Sequence, residues 1–231
     1  MARSLIALLL ATVVVVSGPA PAWGWSNGRA GPDSFGTHDW ILHRAVLALG
    51  SDVSWLRMRV ALRATDDPDV RDGIDHASGT WWHVWDEWGA TYGGAPEAAA
   101  VWARRAERRH AAGRERAASK AVGILAHIVG DVAQPMHTDS SDREDGVHSS
   151  YETAVDERSE RGDGLYRMRF DGVDRARPYA RTVAVARQAH LAYGDLVRGY
   201  DRYGYNSRVH RITKRQLNRA ANAVADLLAR I

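Results

Sequence analysis

Residues 121–152 read AVGILAHIVGDVAQPMHTDSSDREDGVHSSYE, joining a strongly apolar segment to the densest run of metal-binding side chains in the sequence. The apolar residues of the first half recur at helical spacing, so an α-helix would stack His127 and Asp131, four apart, on one face. His148 and Glu152 repeat that spacing. The helix should stop near Pro135, because the residue before a proline is disfavoured in the helical region, and His137 then sits at the turn. A lone buried histidine or aspartate on an apolar helix is ordinarily a hydrogen-bonded core residue. Five together reverse that expectation. Asp131, placed between Gly130 and Val132, needs compensation for its desolvation, and a divalent cation supplies it better than any basic residue nearby. Imidazole and carboxylate without thiolate suit zinc, and the chain has no cysteine. Metal-assisted hydrolysis is the chemistry that this donor set implies.

The helical period extends outward from this stretch. Apolar residues recur with it in 37–49, 53–64, 96–111, 117–134, 147–159, 177–202 and 213–230, and no alternating strand pattern is evident. The expected fold is all-α, a compact multi-helix domain. Glycine and proline punctuate the segments, notably at Gly93-Gly94-Ala95-Pro96, and the run from Arg161 to Arg177 reads as a loop. There is no internal repeat, coiled-coil heptad or low-complexity tail.

Residues 1–24 have a short basic start at Arg3, an apolar run SLIALLLATVVVVSG and a small-x-small signature at Ala22-Trp23-Gly24, the pattern of a secretory signal peptide. Cleavage after Gly24 would leave Trp25 as the new N-terminus; cleavage after Ala22 would expose Trp23. The apolar run is short for a transmembrane helix. Residues 25–231 are therefore expected to form one secreted, extracellular domain. Without disulfides, its stability must rest on the core and on bound metal.

The formal charge is +3, carried almost wholly by arginine. Arginine forks suit phosphate, so phospholipid headgroups and nucleic acid are both compatible partners. Yet acidic and basic residues alternate in runs such as RRAERRHAAGRERAASK, as on a solvated helical face. All nine tryptophans fall between Trp23 and Trp102, with Trp81, Trp82, Trp85 and Trp88 around His83. They are expected to wall a metal cleft and its adjacent core, or else to meet a lipid interface.

Upstream, His38 in FGTHDWILHRAV, Asp69 in DDPDVRDG and His83 in WWHVWDEW are weak signals singly. Taken with HxxxDxxxxxHx(10)HxxxE, they resemble the bacterial zinc-dependent phospholipase C family, which shares its fold with the single-strand-specific zinc nucleases of fungi and plants. That resemblance implies three zinc ions. One would be held by Asp69, His83, His127 and Asp131, a second by His137, His148 and Glu152. The third would take the amine and carbonyl of Trp25, His38 and Asp131, with Asp131 as a bridge. Trp25 stands thirteen positions before His38, as in phosphatidylcholine-preferring members. Asp69 is preferred over Asp66, Asp67 and Asp72 because it follows Pro68, as the equivalent aspartate does in several relatives, and lies fourteen positions before His83; by resemblance it is also the general base. His43, His76, His110, His190 and His210 lack ligand-spaced partners.

The resemblance implies a phospholipase C that releases diacylglycerol and a phosphorylated headgroup. The last ligand pair is HxxxE rather than the HxxxD of the nucleases, and the loop from His137 to His148 is short. The expected partner is phospholipid at a membrane or micelle surface, met by a monomer that needs no protein partner. A single-strand-specific nuclease or 3′-nucleotidase with the same centre is the alternative, and a non-enzymatic protein with structural zinc a third. The choline-preferring relatives have an acidic residue three positions after the N-terminal tryptophan, where Gly28 stands here, and an aromatic where Val70 follows Asp69. Phosphatidylcholine preference therefore does not follow. No C-terminal lipid-binding domain like that of the toxic relatives is evident, so membrane contact is expected from the catalytic domain itself.

Overall fold

The computed structural model describes residue 25 and residues 35–70, 82–86, 93–139, 146–160 and 166–231. The expected signal segment, residues 1–24, lies outside the described residues, as do Asp72, His76, Trp81 and Trp88. The described residues are helical without a strand. Among the described residues eight α-helices run in order: α1 Thr37–Leu49, α2 Met58–Thr65, α3 Asp67–Val70, α4 Ala95–Ala111, α5 Glu115–Ala133, α6 His148–Glu160, α7 Pro178–Tyr203 and α8 Ser207–Leu228. No described helix is long and apolar enough to cross a membrane.

The centre of the fold is α5, buried almost continuously from Ala118 to Ala133, with α2, α4, α7 and α8 packed around it. A helix apolar on all sides has no solvent face, which is why its neighbours surround it. Its chain turns where Pro135 requires. Gln134 leaves the helical region and a 3-10 turn, Pro135–Thr138, carries His137.

Boundaries departed from the periodicity in two places. In the segment 53–64 the helix, α2, begins only at Met58, and Val53 ends a 3-10 turn, Gly50–Val53. Helix α8 begins at Ser207, six residues early, because the Asn206 side chain accepts from the amides of Arg208 and Val209 at 2.8 and 3.1 Å. Pro68, in the first turn of α3, costs that short helix no hydrogen bond. The stretch 166–177 is irregular as expected, but it is not loose. Its amides at Arg169, Asp171 and Asp174 donate to Asn218, Asn222 and Asp226, which lie four apart along α8.

The start of α1 is held from two sides. Asp156 of α6 accepts from the Thr37 amide at 2.9 Å, and Asp39 accepts from the Gly36 amide at 3.2 Å, so unpaired amides of the first turn find carboxylates. The second oxygen of Asp39 accepts from the Thr65 hydroxyl at 3.0 Å, tying α1 to the end of α2. Trp25 is fully buried in the same core, and Trp82 and Trp85 pack against it.

Candidate metal centre

One face of α5 presents Gly123, His127, Gly130 and Asp131, and the two glycines decide what can approach it. A Cβ at Gly123 would lie 2.1 Å from the Ala61 carbonyl oxygen, so α2 crosses there at a distance only glycine permits. The crossing brings the Thr65 carbonyl within 2.7 Å of His127 Nδ1. A carbonyl only accepts, so Nδ1 carries the proton and Nε2 of the neutral ring turns a lone pair into the site. A Cβ at Gly130 would lie 2.6 Å from His38 Nδ1. Its absence lets the His38 ring lie against α5 and stack on His127, centroids 4.1 Å apart.

Ligating atoms converge around Asp131. Its Oδ2 lies 2.6 Å from His83 Nδ1 and 2.9 Å from His127 Nε2, and its Oδ1 lies 3.4 Å from His38 Nε2. Asp69 Oδ1 stands 3.4 Å from His127 Nε2 and 3.9 Å from His83 Nδ1. His38, His127 and Asp131 form one group able to hold a cation, and Asp69, His83 and His127 a second that shares His127. A third group is His137, His148 and Glu152, where Glu152 Oε1 is 2.8 Å from His148 Nε2 and 3.5 Å from His137 Nε2.

Reciprocal bonds clip the second and third groups together. His137 Nδ1 donates to the His83 carbonyl at 2.8 Å, and the Trp85 amide donates to the His137 carbonyl at 2.9 Å. Gln134, fully buried, braces the third group. Its Oε1 accepts from the Met136 amide, which fixes the amide orientation, and its Nε2 reaches His148 Nε2 at 2.9 Å and Glu152 Oε1 at 3.1 Å.

The residues fit a cation by three measures. The donors are all nitrogen and oxygen, a set suited to zinc. The ring nitrogens of His83 and His127 face each other at 3.1 Å while both point at one carboxylate oxygen, so two N–H groups cannot both occupy that space. Asp69 Oδ1, Asp131 Oδ1 and His137 Nε2 are buried without a hydrogen-bond partner, which is costly unless something else satisfies them.

The electrostatics carry the same message. Burial opposes the Asp131 carboxylate, yet the adjacent His127 and His83 hold its pKa well below the usual range. Glu152 is likewise lowered against its burial by His137 and His148. His137 is raised to about 9, because Glu152 and Asp131 outweigh its desolvation. Asp69 moves the other way: burial raises it to about 6 despite the imidazoles beside it. Protons here occupy positions for which a cation would compete.

The structure thus brings together eight of the nine residues expected from the sequence: His38, Asp69, His83, His127, Asp131, His137, His148 and Glu152. The ninth, Trp25, has its side chain in the core. Asp67, a rival to Asp69, faces Lys120 instead, at 2.9 Å. The other histidines have separate tasks: His43 meets Phe35, His110 stacks on Trp55, His190 donates to the Thr138 carbonyl and His210 stacks on Tyr166. Sequence reasoning missed Gln134 and the carbonyls of Thr65 and His83. The position of Gln134, between the Asp131 turn and Pro135, was the available signal; the carbonyls gave none.

Comparison with solved structures places this architecture. The alpha toxin from Clostridium absonum superposes with a TM-score of 0.64 at 18% identity, over 88% of this chain and 65% of the toxin. The alpha-toxin of Clostridium perfringens, from the avian strain SWCP, gives 0.63 at 16% identity, over 89% of this chain and 64% of the toxin. The chain therefore has the alpha-toxin fold and spans just under two thirds of the length of either toxin. No protein-family model and no curated protein sequence matches it.

Proposed function

We propose that this protein is an exported zinc-dependent phosphodiesterase, most specifically a phospholipase C that cleaves the glycerol–phosphate bond of phospholipids. The observation carrying this reading is the pair of groups that share His127 around Asp131 on α5, with the His137–His148–Glu152 group beside them, in an alpha-toxin fold. The assignment of three ions follows the family resemblance: Asp69, His83, His127 and Asp131 for one, His137, His148 and Glu152 for another, and Trp25, His38 and Asp131 for the third. Zinc there supplies Lewis acidity toward phosphoryl oxygens and lowers the pKa of bound water from 15.7 toward about 7.

The chain's own groups do the rest. Asp131, buried and held ionised by its imidazoles, presents both oxygens to different neighbours, as a bridging carboxylate must. Asp69 offers a buried oxygen without a hydrogen-bond partner and a carboxyl raised toward neutrality, which suits it to receive the proton of an attacking water. The Thr65 and His83 carbonyls fix the tautomers of His127 and His137. Removal of residues 1–24 would free the Trp25 amine, and the burial of its indole would hold that new terminus in place.

The test is a paired assay of the zinc-loaded protein on phosphatidylcholine vesicles and on single-stranded DNA. Diacylglycerol release without DNA cleavage is the expected result; DNA cleavage alone would transfer the reading to a nuclease, and inactivity on both to structural zinc. One added residue before Trp25 should also lower zinc content by about one ion per chain, and unchanged elemental analysis would remove Trp25 from the ligand set.

A further inference from the structure

Beside the metal groups lies a trough of about 860 Å³ between α2 and the start of α5, lined by Arg57, Arg59, Arg63, Arg116 and Lys120 over a floor that includes Met58, Val60 and Ala64. Arg59 and Arg63 are four apart on α2, and Arg116 and Lys120 four apart on α5, so each helix turns a pair of cations toward the same space. Asp67, also at its edge, is engaged by Lys120, and Arg57 is engaged by Glu115 at 2.9 Å. Arg59 and Arg116, both exposed, form no ion pair among the described residues. Like charges gathered across a groove repel one another, an arrangement that an anionic partner relieves.

We propose that this cationic trough docks the protein on a bilayer rich in anionic phospholipid, an inference that rests on the phospholipase reading for its purpose. Arginine forks at the rim match phosphate, and the methionine and aliphatic floor matches the glycerol and upper acyl carbons of a lipid. A nucleic-acid strand is the poorer fit, because single-stranded binding relies on aromatic stacking and, among the described residues, no aromatic side chain lines the trough. Position supports the same occupant. Lys120 precedes His127 by seven residues on α5, two turns on the same face and about 10 Å along the axis. Asp67 of the trough and Asp69 of the metal groups share α3. A lipid surface held at the trough therefore lies beside the reacting centre.

Sedimentation with vesicles tests this without requiring turnover, while diacylglycerol release, measured separately, reports on the phospholipase reading. The protein should bind phosphatidylcholine vesicles containing phosphatidylglycerol better than phosphatidylcholine alone, and salt should weaken that binding. Arg59→Gln with Arg116→Gln should lower partitioning roughly 30-fold, from about 1 kcal/mol for each interfacial cation. Hydrolysis of a water-soluble short-chain phospholipid should be unchanged. Arg104→Gln with Arg108→Gln removes the same charge from exposed positions of α4 outside the trough and should leave binding intact. Equal loss in both double variants, equal binding to both vesicles, or selective loss of oligonucleotide binding in the trough variant would overturn the proposal.

Discussion

Gly130→Ala would test how the front of the metal centre is assembled. The added methyl would sit 2.6 Å from His38 Nδ1, 3.0 Å from His38 Cε1 and 3.2 Å from Ile41 Cδ1. Ordinary contact begins near 3.4 Å, so the His38 ring must retreat by about 0.8 Å from a place where it is already stacked on His127. Metal–ligand distances tolerate only about 0.2 Å, several times less than that displacement. Overpacking costs about 1–3 kcal/mol, and replacing glycine inside a helix returns about 0.5–1 kcal/mol, which leaves a net loss of about 1 kcal/mol. Elemental analysis should find the ion shared by His38 and Asp131 depleted while that of the His137 group persists, and urea unfolding should register the lost stability. Gly199→Ala is the matched control, since its methyl would meet only Val209 Cγ2 at 3.5 Å and should stabilise by about 0.5–1 kcal/mol. If Gly130→Ala kept its full zinc complement and gained stability as the control does, the account of His38 seated in a glycine gap would be wrong.

Gly123→Ala places its methyl against a backbone oxygen that cannot rotate away, so α2 must lift and the Thr65–His127 bond must lengthen. A lower melting temperature and loss of metal from the Asp69–His83–His127 group are expected, and a wild-type melt in chelator and in zinc would refute this. Gln134→Leu removes the brace of His148 and Glu152 and should weaken the third group's affinity about 10–100-fold in competition with a colorimetric chelator. Unaltered affinity would reduce Gln134 to a turn-capping role. Asp39 has its pKa raised from 3.8 to about 7 by burial, against the hydrogen bonds from Gly36 and Thr65. The folded chain then holds a proton that the unfolded chain has released, so this group's contribution declines as pH rises from about 4 to about 7 and is flat above. Asp39→Asn should lack that part of the pH slope in urea midpoints, and an identical slope would assign it to other groups.

The helices and most of the candidate ligands were legible because both obey simple periods. His127 with Asp131 and His148 with Glu152 announce themselves at four-residue spacing, and Pro135 announces the turn between them. His38, Asp69 and His83 carry no such mark: His38 reaches the centre on α1, Asp69 on α3 just beyond α2, and His83 on a segment tied to His137, so it took a family pattern to select them. Gly123 and Gly130 looked like blemishes in an apolar helix and proved to be the contact points that set those crossings. The cationic trough was hidden for the same reason. Arg116 and Lys120 sit in a run of mixed charge that reads as solvated surface, and only folding brings Arg59 and Arg63 opposite them.

The ligand groups also differ in how much chain each must close. His137 and Glu152 are fifteen residues apart, whereas His38 and Asp131 are separated by ninety-three. Loop closure grows with the logarithm of length, and that difference costs about 1.6 kcal/mol more for the longer pair. On the proposed metal reading, the His137–Glu152 pair should therefore close on an ion while α1 is still undocked, and the His38–Asp131 pair afterwards. Zinc present during refolding should accordingly act before the native core is complete, as a nucleus rather than a final addition.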